Sequence, residues 1–127
     1  MKKPNILIVD DDKAARIALV DFLRGRHDCS FVEAADGETA IDFIKTNICD
    51  VIILDIKMPK KGGMTVIKEA KVIRPTIDIL VVSAWDSEEV AKETLEAGAC
   101  DYIVKPVDFK LISLKLAGIL TKRGMTA

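Results

Sequence analysis

Four polar side chains stand directly after short apolar runs of the chain. They are Asp10 after Ile6–Val9, Asp55 after Val51–Leu54, Ser83 after Ile77–Val82 and Lys105 after Tyr102–Val104. In open parallel sheets, functional sites form where loops leave the carboxyl ends of the strands. Two further acids, Asp11 and Asp12, follow Asp10 directly. The pattern predicts a cluster of carboxylates, a hydroxyl and an ammonium group at one edge of a sheet.

Carboxylates crowded in this way need a compensating charge. If the first and third strands are neighbours, about 4.8 Å apart, Asp10, Asp11 and Asp55 come close together. Two charges about 5 Å apart repel by roughly 3 kcal/mol at an effective dielectric near 20, so either the pKa values rise or a cation binds between them. Hard oxygen ligands in an open half-shell suit Mg²⁺, which keeps several waters and readily adds a phosphate oxygen.

These side-chain types are suited to phosphoryl transfer. The Asp55 carboxylate can attack a phosphoryl donor and become an acyl phosphate, a reaction that depends mainly on positioning and charge neutralisation. Mg²⁺ would bridge Asp55 and the phosphoryl group, Lys105 would bind a second oxygen, and the Ser83 hydroxyl would donate to a third. Ala84, a small residue beside Ser83, leaves the approach open.

Each of these positions also has an ordinary structural interpretation. The Asp10–Asp12 triplet is typical of a solvated loop or a helix cap, and Asp55 is typical of a turn. Ser83 could cap a helix, and Lys105 could pack its aliphatic stem on the surface. Taken singly these interpretations are favoured, but their joint occurrence at four strand ends favours a site.

Strands and helices are predicted to alternate along the chain. Five apolar, mostly β-branched runs lack the alternation of a half-exposed sheet, which predicts buried strands; they are Ile6–Val9, Phe31–Ala34, Val51–Leu54, Ile77–Val82 and Tyr102–Val104. The stretches between them have helical periodicity; the residues predicted to be buried are Ala15, Ala18, Leu19, Phe22, Leu23, Ala40, Ile41, Ile44, Val66, Ile67, Ala70, Ile73, Ile112, Leu116, Ile119 and Leu120. The third helix is predicted from Met64 to Arg74, and Gly98 is predicted to stop the fourth. This order implies an α/β fold with right-handed crossovers and a doubly wound parallel sheet.

The composition is that of one globular domain over residues 1–127. The chain is 50% hydrophobic and 31% charged, which excludes disordered and collagen-like classes. Its net charge of -1 supplies no general attraction to nucleic acid or anionic membrane, and no apolar run is long enough to span a bilayer. Cys29, Cys49 and Cys100 lack zinc-site spacing, so free thiols in a reducing cytoplasm are expected.

Six short motifs follow one another along the chain. They are Ile6-Leu7-Ile8-Val9-Asp10-Asp11-Asp12, Asp55-Ile56-Lys57-Met58-Pro59, Gly63-Met64, Val81-Val82-Ser83-Ala84, Ala97-Gly98-Ala99 and Asp101-Tyr102-Ile103-Val104-Lys105-Pro106. Together they resemble the receiver domains of bacterial two-component response regulators, over nearly the whole chain. The resemblance implies a flavodoxin-like fold of five parallel strands in the order 2-1-3-4-5. It also implies a cis peptide bond between Lys105 and Pro106, a conformation that X-Pro bonds can adopt.

The resemblance implies roles for the residues of the site. Asp55 would be the phosphoacceptor, and Mg²⁺ the cofactor. The metal ligands would be Asp10, Asp11, Asp55 and the backbone carbonyl of Lys57. Ser83 would be the switch hydroxyl and Tyr102 the switch aromatic.

The implied function is phosphorelay signalling by a regulatory domain rather than enzymatic turnover. The donor would be a phosphohistidine on a sensor histidine kinase or a histidine phosphotransfer protein, with self-phosphorylation from small donors and slow autodephosphorylation. Phosphorylation would draw Ser83 toward the phosphoryl group and let Tyr102 turn inward, which shifts the population between two packings. The face of the fourth helix, fifth strand and fifth helix would then bind an effector or a second copy of the chain, without direct binding to nucleic acid or membrane.

Three alternative functions use parts of the same pattern. A phosphohydrolase of the haloacid dehalogenase type has a second Asp two residues after its nucleophile, where this chain has Lys57. A flavin-binding domain needs a Ser/Thr/Gly-rich loop after the first strand to hold phosphate, and the Asp10–Asp12 triplet would repel that phosphate. A pseudo-receiver, which binds partners without phosphorylation, would usually have lost one of the site residues, and none is lost here.

Two further groups of residues are individual to this chain. Lys57 and Trp85 lie two residues after the acceptor and the switch hydroxyl, where they would shield the phosphoryl group from water or simply form the rim of the site. Leu111 and Leu114 fall outside the predicted buried stripe of the fifth helix, near Gly118. They are a candidate partner surface, although single exposed leucines are also ordinary.

Overall fold

A computed structural model describes residues 3–56 and 61–125 of the chain. Strands and helices alternate in the order β1 (Asn5–Val9), α1 (Lys13–Arg24), β2 (Ser30–Ala34), α2 (Gly37–Thr46), β3 (Val51–Asp55), α3 (Lys61–Ile73), β4 (Asp78–Ser83), α4 (Glu88–Glu96), β5 (Asp101–Val104) and α5 (Phe109–Lys122). All five predicted strands are confirmed, each with bounds within one residue of the prediction. None of the helices in the described segments is both long and apolar enough to cross a lipid bilayer.

The five strands form one parallel sheet in the order β2-β1-β3-β4-β5. This order confirms the predicted flavodoxin-like fold. The strand order reverses between β1 and β3, whose pairing ends at Val9 opposite Leu54. Since β1, β3, β4 and β5 are parallel neighbours, the loops that follow them leave the same edge of the sheet.

Two hydrophobic clusters cover the two faces of the sheet. Leu7 and Ile52 point toward α2 and α3 and pack in the first cluster. Ile8 and Ile53 point the other way, toward α1 and α5, and pack in the second. All four side chains are at most 2% exposed, and each contributes about 1.5–3 kcal/mol through burial. The rigid sheet that results holds the strand ends in place.

Three details of the predicted burial are wrong. In β5, which lies at one edge of the sheet, Val104 is 37% exposed although a buried strand is predicted there. β2 was predicted to be a buried strand, but Val32 is 37% exposed and Glu33 is exposed as well. An edge strand has a neighbour on one side only, and the helices cover it incompletely. In α1, Ala18 is exposed, whereas Val20 is buried together with Leu19 and packs in the cluster that faces α5.

Helix ends follow the local capping signals. Four helices have an acceptor side chain at the N-cap; these residues are Asp12, Asp36, Ser87 and Asp108. α4 ends just before Gly98, whose φ of +120° explains why glycine is the residue at the predicted stop. α3 begins at Lys61, three residues before the predicted start, and its first turn includes Gly63.

Arg123, at the end of α5, ties that helix to the amino-terminal edge of the sheet. Its Nη1 donates to the Thr76 carbonyl at 2.6 Å and to Asp78 Oδ2 at 2.9 Å. Its Nη2 donates to Asp50 Oδ1 at 3.3 Å, while the other oxygen of Asp50 accepts the Asn5 N–H at 2.8 Å. These contacts stabilise the amino-terminal edge of the sheet, which lies opposite the edge where the candidate site residues are.

Candidate functional site

The four residues predicted at strand ends lie at the same edge of the sheet. Asp10 follows β1, Asp55 ends β3, Ser83 ends β4 and Lys105 follows β5. The register pairs Asp55 with Val82, the residue before Ser83. The peptide bond that follows Lys105 is cis, as the resemblance implies.

Lys105 lies between two carboxylates. Its Nζ donates to Asp55 Oδ2 at 2.7 Å and lies 3.6 Å from Asp10 Oδ2. The carboxyl groups are 7% and 10% exposed for Asp55 and Asp10, whereas the Lys105 side chain is 33% exposed. The Lys105 side chain is therefore partly exposed, and its ammonium group neutralises part of a buried negative charge.

Burial and the neighbouring charged groups shift the pKa values of Asp55 and Lys105. Burial raises the pKa of Asp55 above its ordinary value, the Lys105 hydrogen bond lowers it, and the charge of Asp10 raises it again, with an upward net effect. Burial lowers the pKa of Lys105, but its hydrogen bond to Asp55 and the two carboxylate charges outweigh burial and raise it. Two carboxylates facing one ammonium group leave an excess of negative charge that favours a further cation.

The loop after β1 is held by its own hydrogen bonds. The Asp10 N–H donates to the Ala34 carbonyl at 3.1 Å, and Asp10 Oδ1 accepts the Asp12 N–H at 2.9 Å. Asp12 itself caps α1, with its Oδ1 accepting the Ala15 N–H at 3.2 Å. The ordinary capping interpretation therefore holds for Asp12, while Asp10 points its other oxygen toward Lys105.

An open hollow of about 280 Å³ lies beside this loop. Asp10, Asp11 and Asp55 all line it, and Gly62 and Gly63 of α3 form part of its wall. Asp36, the N-cap of α2, lines it as well. The carboxylates of the predicted ligands are the oxygen donors that Mg²⁺ prefers, so their chemistry fits this ion.

The predicted metal ligands among the described residues are nevertheless not gathered around one point. Within residues 3–56 and 61–125, no group of three or more His, Cys, Asp or Glu side chains is arranged so that it could hold a metal ion. The ammonium group of Lys105 lies against two of the three predicted carboxylates and supplies positive charge there. Lys57, the predicted carbonyl ligand, lies outside the described residues.

The Ser83 hydroxyl is engaged away from the carboxylates. Ser83 is fully buried, its Oγ donates to the Ile56 carbonyl at 2.6 Å, and it accepts the Trp85 N–H at 3.0 Å. The carbonyl of Trp85 in turn accepts the Tyr102 hydroxyl at 2.6 Å. The backbone of Trp85 thus links the predicted switch hydroxyl to the predicted switch aromatic. Trp85 itself is 41% exposed.

Sequence reasoning missed one residue that contacts this loop. Arg16 of α1 donates from Nη1 to the Asp10 carbonyl at 2.7 Å and from Nε to Glu33 Oε1 at 2.8 Å. A signal was present, because Arg16 follows Ala15 on the inward side of α1, where a charged group needs a partner.

Comparison with known proteins agrees with this geometry. The family model described as the response regulator receiver domain matches residues 6–117. The chain belongs to the response-regulator receiver domain family. The receiver domain is 37% identical over 107 residues to the transcriptional regulatory protein ZraR of Salmonella typhimurium. The matched region covers 84% of this chain and 24% of ZraR. It is also 36% identical over 118 residues to a cyclic di-GMP phosphodiesterase of Thermotoga maritima. That matched region covers 93% of this chain and 31% of the relative.

The receiver domain therefore spans about a quarter to a third of the length of these relatives.

Solved structures agree over the whole fold. A CheY-like receiver domain protein from Methanospirillum hungatei has a TM-score of 0.89 at 28% identity, with 97% of this chain and 98% of that chain covered. The CheX–CheY–BeF3–Mg²⁺ complex from Borrelia burgdorferi has a TM-score of 0.80 at 28% identity, with 92% and 89% covered.

Proposed function

We propose that this receiver domain accepts a phosphoryl group on Asp55 from a phosphohistidine, carried by a sensor histidine kinase or a histidine phosphotransfer protein. The observation that carries the proposal is the position of Lys105, 2.7 Å from Asp55 and 3.6 Å from Asp10 at the loop edge of the sheet. Asp55 also lines an open hollow, from which a donor can approach.

The proposed reaction is a displacement at phosphorus. A carboxylate oxygen of Asp55 attacks, and its new O–P bond forms as the P–N bond of phosphohistidine breaks. The electron pair of that bond stays on the imidazole nitrogen. Lys105 stabilises the ionised form of Asp55, and its side chain is partly exposed, so its ammonium group can bind an oxygen of the incoming phosphoryl group.

Asp10, Asp11, Asp55 and the carbonyl of Lys57 are the proposed ligands of a Mg²⁺ ion. When bound, the ion would supply the positive charge that neutralises the phosphoryl oxygens. The excess negative charge around Lys105 supports this assignment. So does the family relative from Borrelia burgdorferi that was solved with BeF3 and Mg²⁺.

The signal would leave the site through Ser83. The Ser83 hydroxyl would stop donating to the Ile56 carbonyl and would donate to a phosphoryl oxygen instead. The Trp85 N–H, which donates to Ser83 Oγ, would then move with Ser83 or lose its acceptor. Because the Trp85 carbonyl holds the Tyr102 hydroxyl, such a movement reaches β5. The output would be an effector or a second copy of the chain bound at the face of α4, β5 and α5.

The proposed unit of function is a single receiver domain over residues 1–127. The named relatives carry different activities, transcriptional regulation in one and cyclic di-GMP hydrolysis in the other. We therefore expect the effector that binds the α4–β5–α5 face to determine the response to phosphorylation.

Labelling with radioactive acetyl phosphate and Mg²⁺ tests the proposal. One phosphoryl group, labile to hydroxylamine, should be added to the wild-type chain, and Asp55→Asn should abolish the labelling. EDTA should block it, and Ser83→Ala should retain it. Asp12→Asn is the matched control, since Asn is as good an N-cap as Asp, and it should be labelled normally. Full labelling of Asp55→Asn contradicts the assignment, and an unlabelled wild type favours a pseudo-receiver.

A further inference from the structure

Arg16 connects the loop after β1 to the edge strand of the sheet. Its guanidinium group donates to the Asp10 carbonyl at 2.7 Å and to Glu33 Oε1 on β2 at 2.8 Å. The Arg16 side chain is only 12% exposed and that of Glu33 is 36% exposed. A planar guanidinium group can make both bonds at once in a fixed geometry, so Arg16 holds the loop at a constant distance from β2.

Asp10 is thereby held at three points. Its N–H donates to Ala34, its carbonyl accepts from Arg16, and its Oδ1 accepts from Asp12. The remaining oxygen, Oδ2, faces the cluster and lies 3.6 Å from the Lys105 ammonium group. The Arg16 bond joins the backbone of Asp10 to a side chain of another element, so the direction of Oδ2 depends on it directly.

We propose that Arg16 is a positioning residue that directs the Asp10 carboxylate at the proposed cation. This inference rests on the proposed function, because the direction of Oδ2 matters only if a cation binds there. The charge of Arg16 is paired with Glu33, so the pair adds little net charge to the site and acts through geometry. Removing Glu33 alone would free the guanidinium charge, which would then compete with the cation for Asp10.

Calorimetric titration with MgCl₂ alone tests the inference. Partners that orient a metal ligand typically change metal affinity about 10- to 100-fold when removed, so Arg16→Met should raise the dissociation constant about tenfold. Arg16→Lys keeps the charge but replaces two donor nitrogens in a fixed plane by a single one, and its effect should be intermediate. Glu33→Gln should also weaken binding. The fluorescence of Trp85, whose backbone N–H donates to Ser83 Oγ, supplies a second readout.

Arg24→Met is the matched control on the same helix. Its guanidinium group lies over the Phe31 ring, 6.0 Å from the centroid, and its removal should leave Mg²⁺ binding unchanged. The labelling of Asp55 should then be measured against Mg²⁺ concentration. For Arg16→Met, half-saturation should move about tenfold upward, as the affinity does, while labelling at saturating Mg²⁺ stays near the wild-type value.

Two outcomes separate the inference from the function on which it rests. If Arg16→Met has a lower melting temperature but the wild-type half-saturation, Arg16 only stabilises the fold and the inference is overturned. If the wild-type chain neither binds Mg²⁺ nor becomes labelled, the proposed function fails first and the positioning role fails with it. Weaker Mg²⁺ binding in Arg16→Met, with normal binding in Arg24→Met, supports the inference.

Discussion

At the scale of single residues, buried polar groups take their partners from distant parts of the chain. Lys105 neutralises Asp55, and Ser83 finds its acceptor at Ile56. His27 is a third case, because it is only 8% exposed and its Nε2 lies 2.7 Å from Ser113 Oγ on α5. Each of these groups has a protonation state or an orientation that the fold prefers, and each preference can be measured.

The pH dependence of stability should include a contribution from His27. Burial, and then the charge of Arg26, lower its pKa from 6.5. The neutral ring therefore stabilises the fold fully above about pH 6.5, and this contribution is lost as the pH falls through the lowered pKa, because the unfolded chain binds the proton first. Urea unfolding at pH 7 and pH 5 should show a smaller pH difference for His27→Gln than for the wild type. Equal pH differences would show that the ring titrates normally.

At the scale of elements, the close approach of α3 to the site depends on glycine. A Cβ at Gly63 would lie 2.6 Å from Cγ1 of Ile56, and 2.8 and 2.9 Å from its other side-chain carbons. Ile56 is 2% exposed and directly follows Asp55, the last residue of β3. The first turn of α3 therefore packs directly on the residue next to Asp55, which fixes one wall of the hollow.

Gly63→Ala should destabilise the domain. Alanine is a better helix former than glycine by about 1 kcal/mol, but overpacking against a buried side chain costs about 1–3 kcal/mol. The expected net loss is up to about 2 kcal/mol of the free energy of unfolding, measured by urea denaturation. Gly62→Ala is the matched control, since nothing lies within 4 Å of its Cβ position, and it should be neutral or stabilising. A stabilised Gly63→Ala variant would show that Ile56 moves aside without cost.

At the scale of the whole molecule, one face carries exposed apolar residues beside charged ones. Leu111 and Leu114 of α5 are 40% and 69% exposed, as the sequence predicts. Nearby, Lys115 Nζ lies 2.8 Å from Asp101 Oδ2 of β5, and Gly118 has open space around its Cβ position. Each leucine would contribute at most about 1.5–3 kcal/mol on burial, before the costs of association. Such a surface suits a weak, switchable contact rather than a permanent one.

Phosphorylation is predicted to favour self-association through this face. Sedimentation velocity with and without beryllofluoride, a phosphoryl mimic, should show a larger mass only in its presence. Leu114→Glu should suppress the increase because it places a charge in the contact. Val72→Glu is the control, since Val72 is 81% exposed on α3, and it should leave the increase unchanged. A monomer in both states would exclude homodimerisation and leave an effector as the partner of this face.

The sequence by itself determined the order of the elements and the location of the site. Buried strands are recognisable because their apolar runs are short and β-branched, and the helices because their apolar residues recur with helical periodicity. Since parallel strands share one carboxyl edge, the positions of Asp10, Asp55, Ser83 and Lys105 followed from that order. The roles of these residues remain proposals that the labelling experiment tests.

The tertiary structure alone decided which partners the polar groups take. Arg16 meets Glu33 across 17 residues of sequence, Ser83 meets Ile56 across 27, and Arg123 meets residues more than 40 positions away. No local propensity specifies such pairs, because they depend on how helices settle on the sheet. The exposure of β2 has the same origin, since its apolar residues resemble those of a central strand and only the sheet order makes it an edge.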